Sequence, residues 1–202
     1  MKTKYIQNGM TLVEMVVVIG VYMLLVGMVF TAAQSLYQSN SYTTAQAREV
    51  DNARRGMTKL VRDLREMTYA EDGTFPVTAM EGHRVGFYSD IDKDDSVEFV
   101  EYELSTTTLY KRTFNATGSP PTYNLASPDQ EDVLSLYVQN INQATSTFFY
   151  YDTNNVALSS TSLLTDVRYI SAQIIVNVDP IRSPGEFMLR SGVSPRNLKD
   201  NL

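Results

Sequence analysis

Two groups of residues in this 202-residue chain could do chemistry, and both are built from carboxylates. The first is Asp90-Ile91-Asp92-Lys93-Asp94-Asp95-Ser96, with Glu98 and Glu101 beyond it. Oxygen ligands at alternate positions suit a hard cation, and in an EF-hand loop they fall at positions 1, 3, 5, 7, 9 and 12. Here those positions are Asp90, Asp92, Asp94, the Ser96 carbonyl, Glu98 and Glu101, so the spacing predicts a calcium site. Position 6, ordinarily glycine for the sharp turn, is Asp95. The flanks read as strands, and a strand would aim Glu98 and Glu101 at opposite faces. An acidic hairpin turn, with Asp side chains bonding their own backbone, accounts for the same residues without a metal.

The second is Glu14, the only charge in MTLVEMVVVIGVYMLLVGMVFTAA, residues 10–33. A carboxylate in an apolar run of membrane length is costly and marks a function whose partner has to be found. The simplest partner is the positive end of its own helix, worth about 0.3–1 kcal/mol; snorkelling to the interface is another outlet.

Other chemistries have little to stand on. The chain has no cysteine, so disulfides, thiolate metal sites and cysteine nucleophiles are excluded. Its one histidine, His83, rules out multi-histidine metal sites and reads as a surface or packing residue. There is no Gly-rich phosphate loop. A net charge of −6 and a pI near 4.8 argue against direct nucleic-acid binding, which needs a basic face. A carboxylate-only hydrolase on a membrane tether stays open as the alternative in another class.

These carboxylates have to be positioned by three kinds of element. Residues 10–33 span about 30 Å as a helix, one hydrocarbon core. Lys2 and Lys4 precede them, so the positive-inside bias puts the N-terminus in the cytoplasm and the rest outside. The segment reads as a plain anchor or, less well, as a cleaved signal, since Phe30-Thr31-Ala32-Ala33-Gln34 is a poor small-x-small site. Apolar residues return on one helical face at Val50, Ala53, Met57, Leu60, Val61 and Leu64. Arg48, Arg54, Arg55, Lys59, Arg62 and Arg65 lie on the other positions, as a solvated face, a partner patch or a membrane-surface patch. Glu71-Asp72-Gly73 before Phe75-Pro76 predicts the helix stop, with Gly73 as C-cap, and thus a helix of about 90 Å.

The remainder reads as a β-rich head, with strands at 84–89, 97–104, 108–114, 133–138, 147–151 and 167–178. The last, VRYISAQIIVNV, is the longest and most β-branched and is expected to be central. Residues 115–132 hold Pro120, Pro121 and Pro128 and read as a surface loop.

The string Gly9-Met10-Thr11-Leu12-Val13-Glu14, followed by an apolar helix, resembles the prepilin-type signal of type IV pilins and type II secretion pseudopilins. The resemblance implies a lysine-bearing leader, residues 1–9, cut by a prepilin peptidase after Gly9. It further implies N-methylation of Met10 and a role for Glu14 in assembly, facing the Met10 amine of a neighbouring subunit. An amine–carboxylate pair is far stronger in low dielectric than in water, which agrees with that role. Two departures, Met10 where phenylalanine is usual and Thr31 where major pilins usually carry proline, lean toward a minor pilin or pseudopilin. In the head, FYSDIDKDD, VEFVEYEL, LYKR, FFYYD, VRYISAQIIV and SPRNLK resemble minor pilins of the J or W type.

The expected fold is therefore α+β and pilin-like, a long N-terminal helix packed on an antiparallel sheet. Its parts are a leader (1–9), a transmembrane half-helix (10–33), an amphipathic half-helix (34–72) and the head (73–202). The implied partners are other pilin-like subunits, the peptidase, an inner-membrane assembly platform and lipid. The implied location is the cytoplasmic membrane and then a pilus or pseudopilus. The chain is expected to be structural, not an enzyme, and to need no cofactor beyond the calcium its acidic loop would take.

Overall fold

The computed structural model describes residues 9–94, 96–182 and 184–198. Leader residues 1–8, Asp95 of the acidic loop and Lys199 of the terminal SPRNLK lie outside the described residues. The chain divides into two compact units, Met1–Thr44 and Ala45–Leu202. One helix, α1 (Leu12–Arg65), contributes to both.

In the first unit α1 is apolar all round from Met15 to Ala33 and polar beyond, and its large side chains from Leu12 to Tyr37 are exposed. It is long and apolar enough to cross a membrane. Its glycines, Gly20 and Gly27, do not interrupt it. Thr31 keeps its backbone N–H and donates its Oγ1–H to Met28 O at 2.9 Å.

The second unit is α+β. Its strands are β1 (Val77–Met80), β2 (Arg84–Ser89), β3 (Glu98–Ser105), β4 (Thr108–Phe114), β5 (Ala116–Thr117) and β6 (Thr122–Tyr123). They continue with β7 (Gln130–Ser135), β8 (Phe148–Tyr151), β9 (Ala157–Leu158), β10 (Tyr169–Val176) and β11 (Phe187–Val193). All paired strands are antiparallel, in one sheet of order β1-β2-β3-β4-β7, a second of order β11-β10-β8-β9, and the small hairpin β5-β6. The strand expected to be central, β10, is flanked on both sides, by β11 and β8.

The apolar spacing in the second half of α1 does what an amphipathic pattern should. Ala53, Met57, Leu60 and Leu64 are buried in one core with Val85, Phe87, Val100, Tyr102 and Leu109 of the first sheet and Ile170, Ala172 and Ile174 of the second. Gly56 is needed for one close approach, since a Cβ there would meet Leu134 Cβ at 3.0 Å. A buried amide, Gln46, ties the helix to the second sheet. Its Nε2 donates to Val176 O (3.1 Å) and its Oε1 accepts from Val178 N (2.8 Å), as a neighbouring strand would.

The helix ends at Arg65, short of the expected stop at Asp72. Met67 is fully buried, and Thr68 N donates to Tyr88 O, so the chain leaves the helix to run along β2. Gly73 adopts φ 85° in a turn closed by its N–H on Ala70 O, so it is a turn glycine and not the C-cap. Strand 133–138 is shifted to β7 (Gln130–Ser135), and β1 and β11 were not anticipated from the pattern.

Candidate functional site

Sequence-predicted chemistry maps to two places, one in each unit. At the start of α1, Thr11 and Glu14 form a reciprocal capping box. Glu14 Oε2 accepts from Thr11 N (3.0 Å) and from Thr11 Oγ1 (3.1 Å), while Glu14 N donates to Thr11 Oγ1 (3.3 Å). The T-x-x-E spacing dictates this: with Thr11 as N-cap, Glu14 is the third residue of the helix and can reach back over the open first turn. The carboxylate also sits at the positive end of the helix dipole. Among the described residues no donor reaches Glu14 Oε1. Gly9 and Met10 precede the helix in irregular, exposed chain.

In the second unit the acidic run lies in the turn between β2 and β3. It brings Asp90, Asp92 and Glu98 together, with one carboxylate oxygen of each within 4.8 Å of the others. Glu98, at the start of β3, is buried, and its Oε2 accepts from Ile91 N at 2.9 Å. Burial pushes the Glu98 carboxyl above the ordinary range; the Ile91 N–H opposes this, and Asp92, Asp90 and Asp94 add to it. These three are the residues that could hold a cation.

The rest of the predicted loop is used differently. Asp90 Oδ1 also accepts from Lys93 N (2.7 Å), and Asp94 Oδ1 accepts from Ser96 N (2.8 Å), the local bonds of an Asx-rich turn. Glu101, three residues along β3 from Glu98, faces the other side of the sheet. It accepts from Arg84 Nε (2.6 Å) and Arg112 Nη1 (3.1 Å) and does not join the cluster. The strand alternation, not the EF-hand spacing, decides where Glu101 points.

A third group was not flagged by sequence reasoning. Asp63 of α1 is buried and accepts on Oδ2 from Lys111 Nζ of β4 (2.5 Å) and from Tyr102 OH of β3 (2.7 Å), with Arg62 Nη2 on Oδ1 at 3.2 Å. Burial drives the Lys111 ammonium below its ordinary pKa against the pull of Asp63, and drives the Tyr102 phenol well above its own. The signal was present: alternation in TLYKRTF puts Lys111 on the inward side with Leu109 and Thr113, and an inward lysine requires an acid.

His83 is half-buried with its Nδ1 3.1 Å from Thr147 Oγ1, a packing role. A cleft of about 360 Å³ opens between Glu49, Arg55 and Lys59 of α1 and Val133 and Leu136, and no histidine lines it. No protein-family model and no curated protein sequence matches the chain.

Proposed function

We propose that the chain is a minor pilin or pseudopilin, a structural subunit with no catalytic step of its own. Prepilin peptidase would cut it after Gly9 and N-methylate Met10. The mature chain would sit as a single-pass protein in the cytoplasmic membrane with its head outside. The assembly platform would then build it, beside other pilin-like subunits, into a type IV pilus or type II secretion pseudopilus, at the initiating or tip complex.

The observation that carries this reading is the capping box directly after Gly9-Met10. It fixes Glu14 through one oxygen, Oε2, and leaves Oε1 without a donor among the described residues. A charge taken into hydrocarbon with half its acceptors unmet is expensive unless a cation arrives. Cutting before Met10 creates such a cation, an α-amine at the membrane edge. Glu14 can keep its cap through Oε2 and accept a neighbour's amine on Oε1, so helix capping and subunit pairing do not compete.

The mass of the mature N-terminus tests the reading. A chain starting at a monomethylated Met10 is expected; an intact Met1, or a start near Ala33, overturns it and favours a tethered enzyme or binding protein. Glu14→Ala should then leave insertion and cleavage unchanged while reducing incorporation into fibres.

A further inference from the structure

The exposed side of α1 in the second unit is unusually rich in arginine for an acidic protein. At 3.6 residues per turn, Arg48, Arg54, Arg55, Arg62 and Arg65 fall within about one third of the helix circumference, over about 26 Å. All five are exposed. Arg55 is paired with Asp51 and Arg62 touches Asp63 from outside, but Arg48, Arg54 and Arg65 have no carboxylate partner among the described residues. Glu66 is an acid at the margin of the stripe.

An opposite surface exists elsewhere in the same unit. Glu71 accepts from Val97 N at 3.2 Å, which joins the segment after α1 to the acidic turn. Glu71, Asp72, Asp92 and Asp94 are exposed there, with Asp90 half-buried. Among the described residues none of these five carboxylates has a lysine or arginine within 4 Å. Backbone N–H groups donate to three of them: Thr74 to Asp72, Lys93 to Asp90 and Ser96 to Asp94. Elsewhere in the head the exposed Glu81 and Glu131 are paired with Arg84 and Arg112, whereas Asp129, Asp166 and Glu186 are exposed without a lysine or arginine within 4 Å among the described residues. Among its described residues the second unit thus presents a cationic stripe with three unpaired arginines and an end where five carboxylates lie together without a cationic partner.

We infer that the arginine stripe of one copy docks the Glu71–Asp72–Asp90–Asp92–Asp94 end of a second copy. Two different patches that complement each other make a heterologous contact, which repeats instead of closing on a two-fold axis. The charge pattern would steer copies into that arrangement and penalise stripe against stripe. The inference rests on the assembly reading only in needing copies held side by side, and it assigns the interface to the second unit, away from Glu14.

The chain has no cysteine, so site-specific cross-linking of the full chain in membranes tests it directly. Thr58→Cys marks the stripe and Thr74→Cys marks the acidic end; both positions are exposed and uncharged. Co-expressed, the two single-cysteine chains should cross-link to each other, less so above 0.5 M salt. Adding Arg54→Glu and Arg65→Glu to the Thr58→Cys chain should cut the yield about tenfold. Placing Asp90→Lys and Asp92→Lys on the other chain should restore it. Absence of the mixed cross-link, or a yield indifferent to both reversals, overturns the inference, as does binding of the stripe to anionic vesicles instead of to a second copy. Cross-linking in a chain whose N-terminus is still Met1 would keep this interface while removing the pilin reading.

Discussion

Replacing Lys111 with Met should destabilise the head strongly, and replacing Asp63 as well should recover most of the loss. Both side chains are nearly sealed, 3% and 2% exposed, and their contact spans α1 and β4. Lys111→Met leaves Asp63 buried with, among the described residues, the Tyr102 hydroxyl and the outer Arg62 as partners. Breaking a buried pair from one side costs about 3–5 kcal/mol. Arg62, itself 60% exposed, keeps the cost near the lower end, at about 3 kcal/mol. Asp63→Leu strands the ammonium, but burial already lowers the Lys111 pKa, so the lysine can shed its proton instead. The unfolded chain then binds more protons than the folded one between the depressed folded pKa and about 10.4, so stability of Asp63→Leu rises with pH across that window. The double variant should sit about 1 kcal/mol below the wild type, because two apolar groups of similar volume replace the ion pair while the buried Tyr102 hydroxyl loses its acceptor. Hydrogen exchange of the β3 and β4 amides, in the full chain in detergent, reads each free energy. If Lys111→Met costs under about 1 kcal/mol, or the two losses simply add, the pair is not the coupled unit described.

Three further predictions concern the turn and the sheet. Glu98 has a raised pKa in the folded chain, so stability should fall as pH climbs from the unfolded glutamate value, about 4.3, through the folded value, and then level. Glu98→Gln, which keeps an acceptor for Ile91 N–H, should flatten that slope and raise the melting temperature at pH 7 without added metal; an unchanged slope refutes it. Calorimetric titration with calcium should give heat from the wild type and none from Asp92→Ala, and a silent wild type removes the cation from this turn. Gly86→Ala would set a Cβ 2.9 Å from Phe99 Cζ and 3.0 Å from Thr78 Oγ1 in a buried strand. It should cost about 1–3 kcal/mol in denaturant unfolding, and a neutral result would show that Phe99 has room to move.

Strands were legible where each face has one environment. The boundaries of β2 and β4 follow from alternating or continuous apolar residues between turns at 81–83 and 105–107. β11 was hidden because Phe187 and Met188 at its start are exposed and Arg190, Ser191 and Gly192 interrupt the β-type composition. Its place is set by pairing with β10, a non-local contact that local propensity does not encode. β1 has four residues, too few for a period. At the N-terminus the sequence marked Glu14 at the positive end of its helix, and the structure adds the reciprocal cap with Thr11 and which oxygen of Glu14 it uses. In the acidic run, spacing named the residues, while the β3 register decided that Glu98 joins the cluster and Glu101 turns to Arg84 and Arg112. The Asp63 cluster joins residues 39 and 48 positions apart, so only the fold could bring it together.

Of the polar contacts that tie α1 to the sheets, Lys59 with Asp132 of β7 among them, two have a mechanical meaning. Gln46 grips the end of β10, whereas Asp63 grips β3 and β4, so one helix is fastened to two different sheets at points 17 residues apart. Tension entering from the N-terminal side meets the neutral amide clasp before the buried ion pair. A pair of ordinary hydrogen bonds yields more readily than a desolvated charge pair, so the joints are graded in strength along the line of pull. Under load the helix would peel from the second sheet first while the five-stranded sheet held. The head would then have a strain-limited give before it unfolds, which a single-molecule pull on the full chain would register as two steps, the first lost in Gln46→Leu.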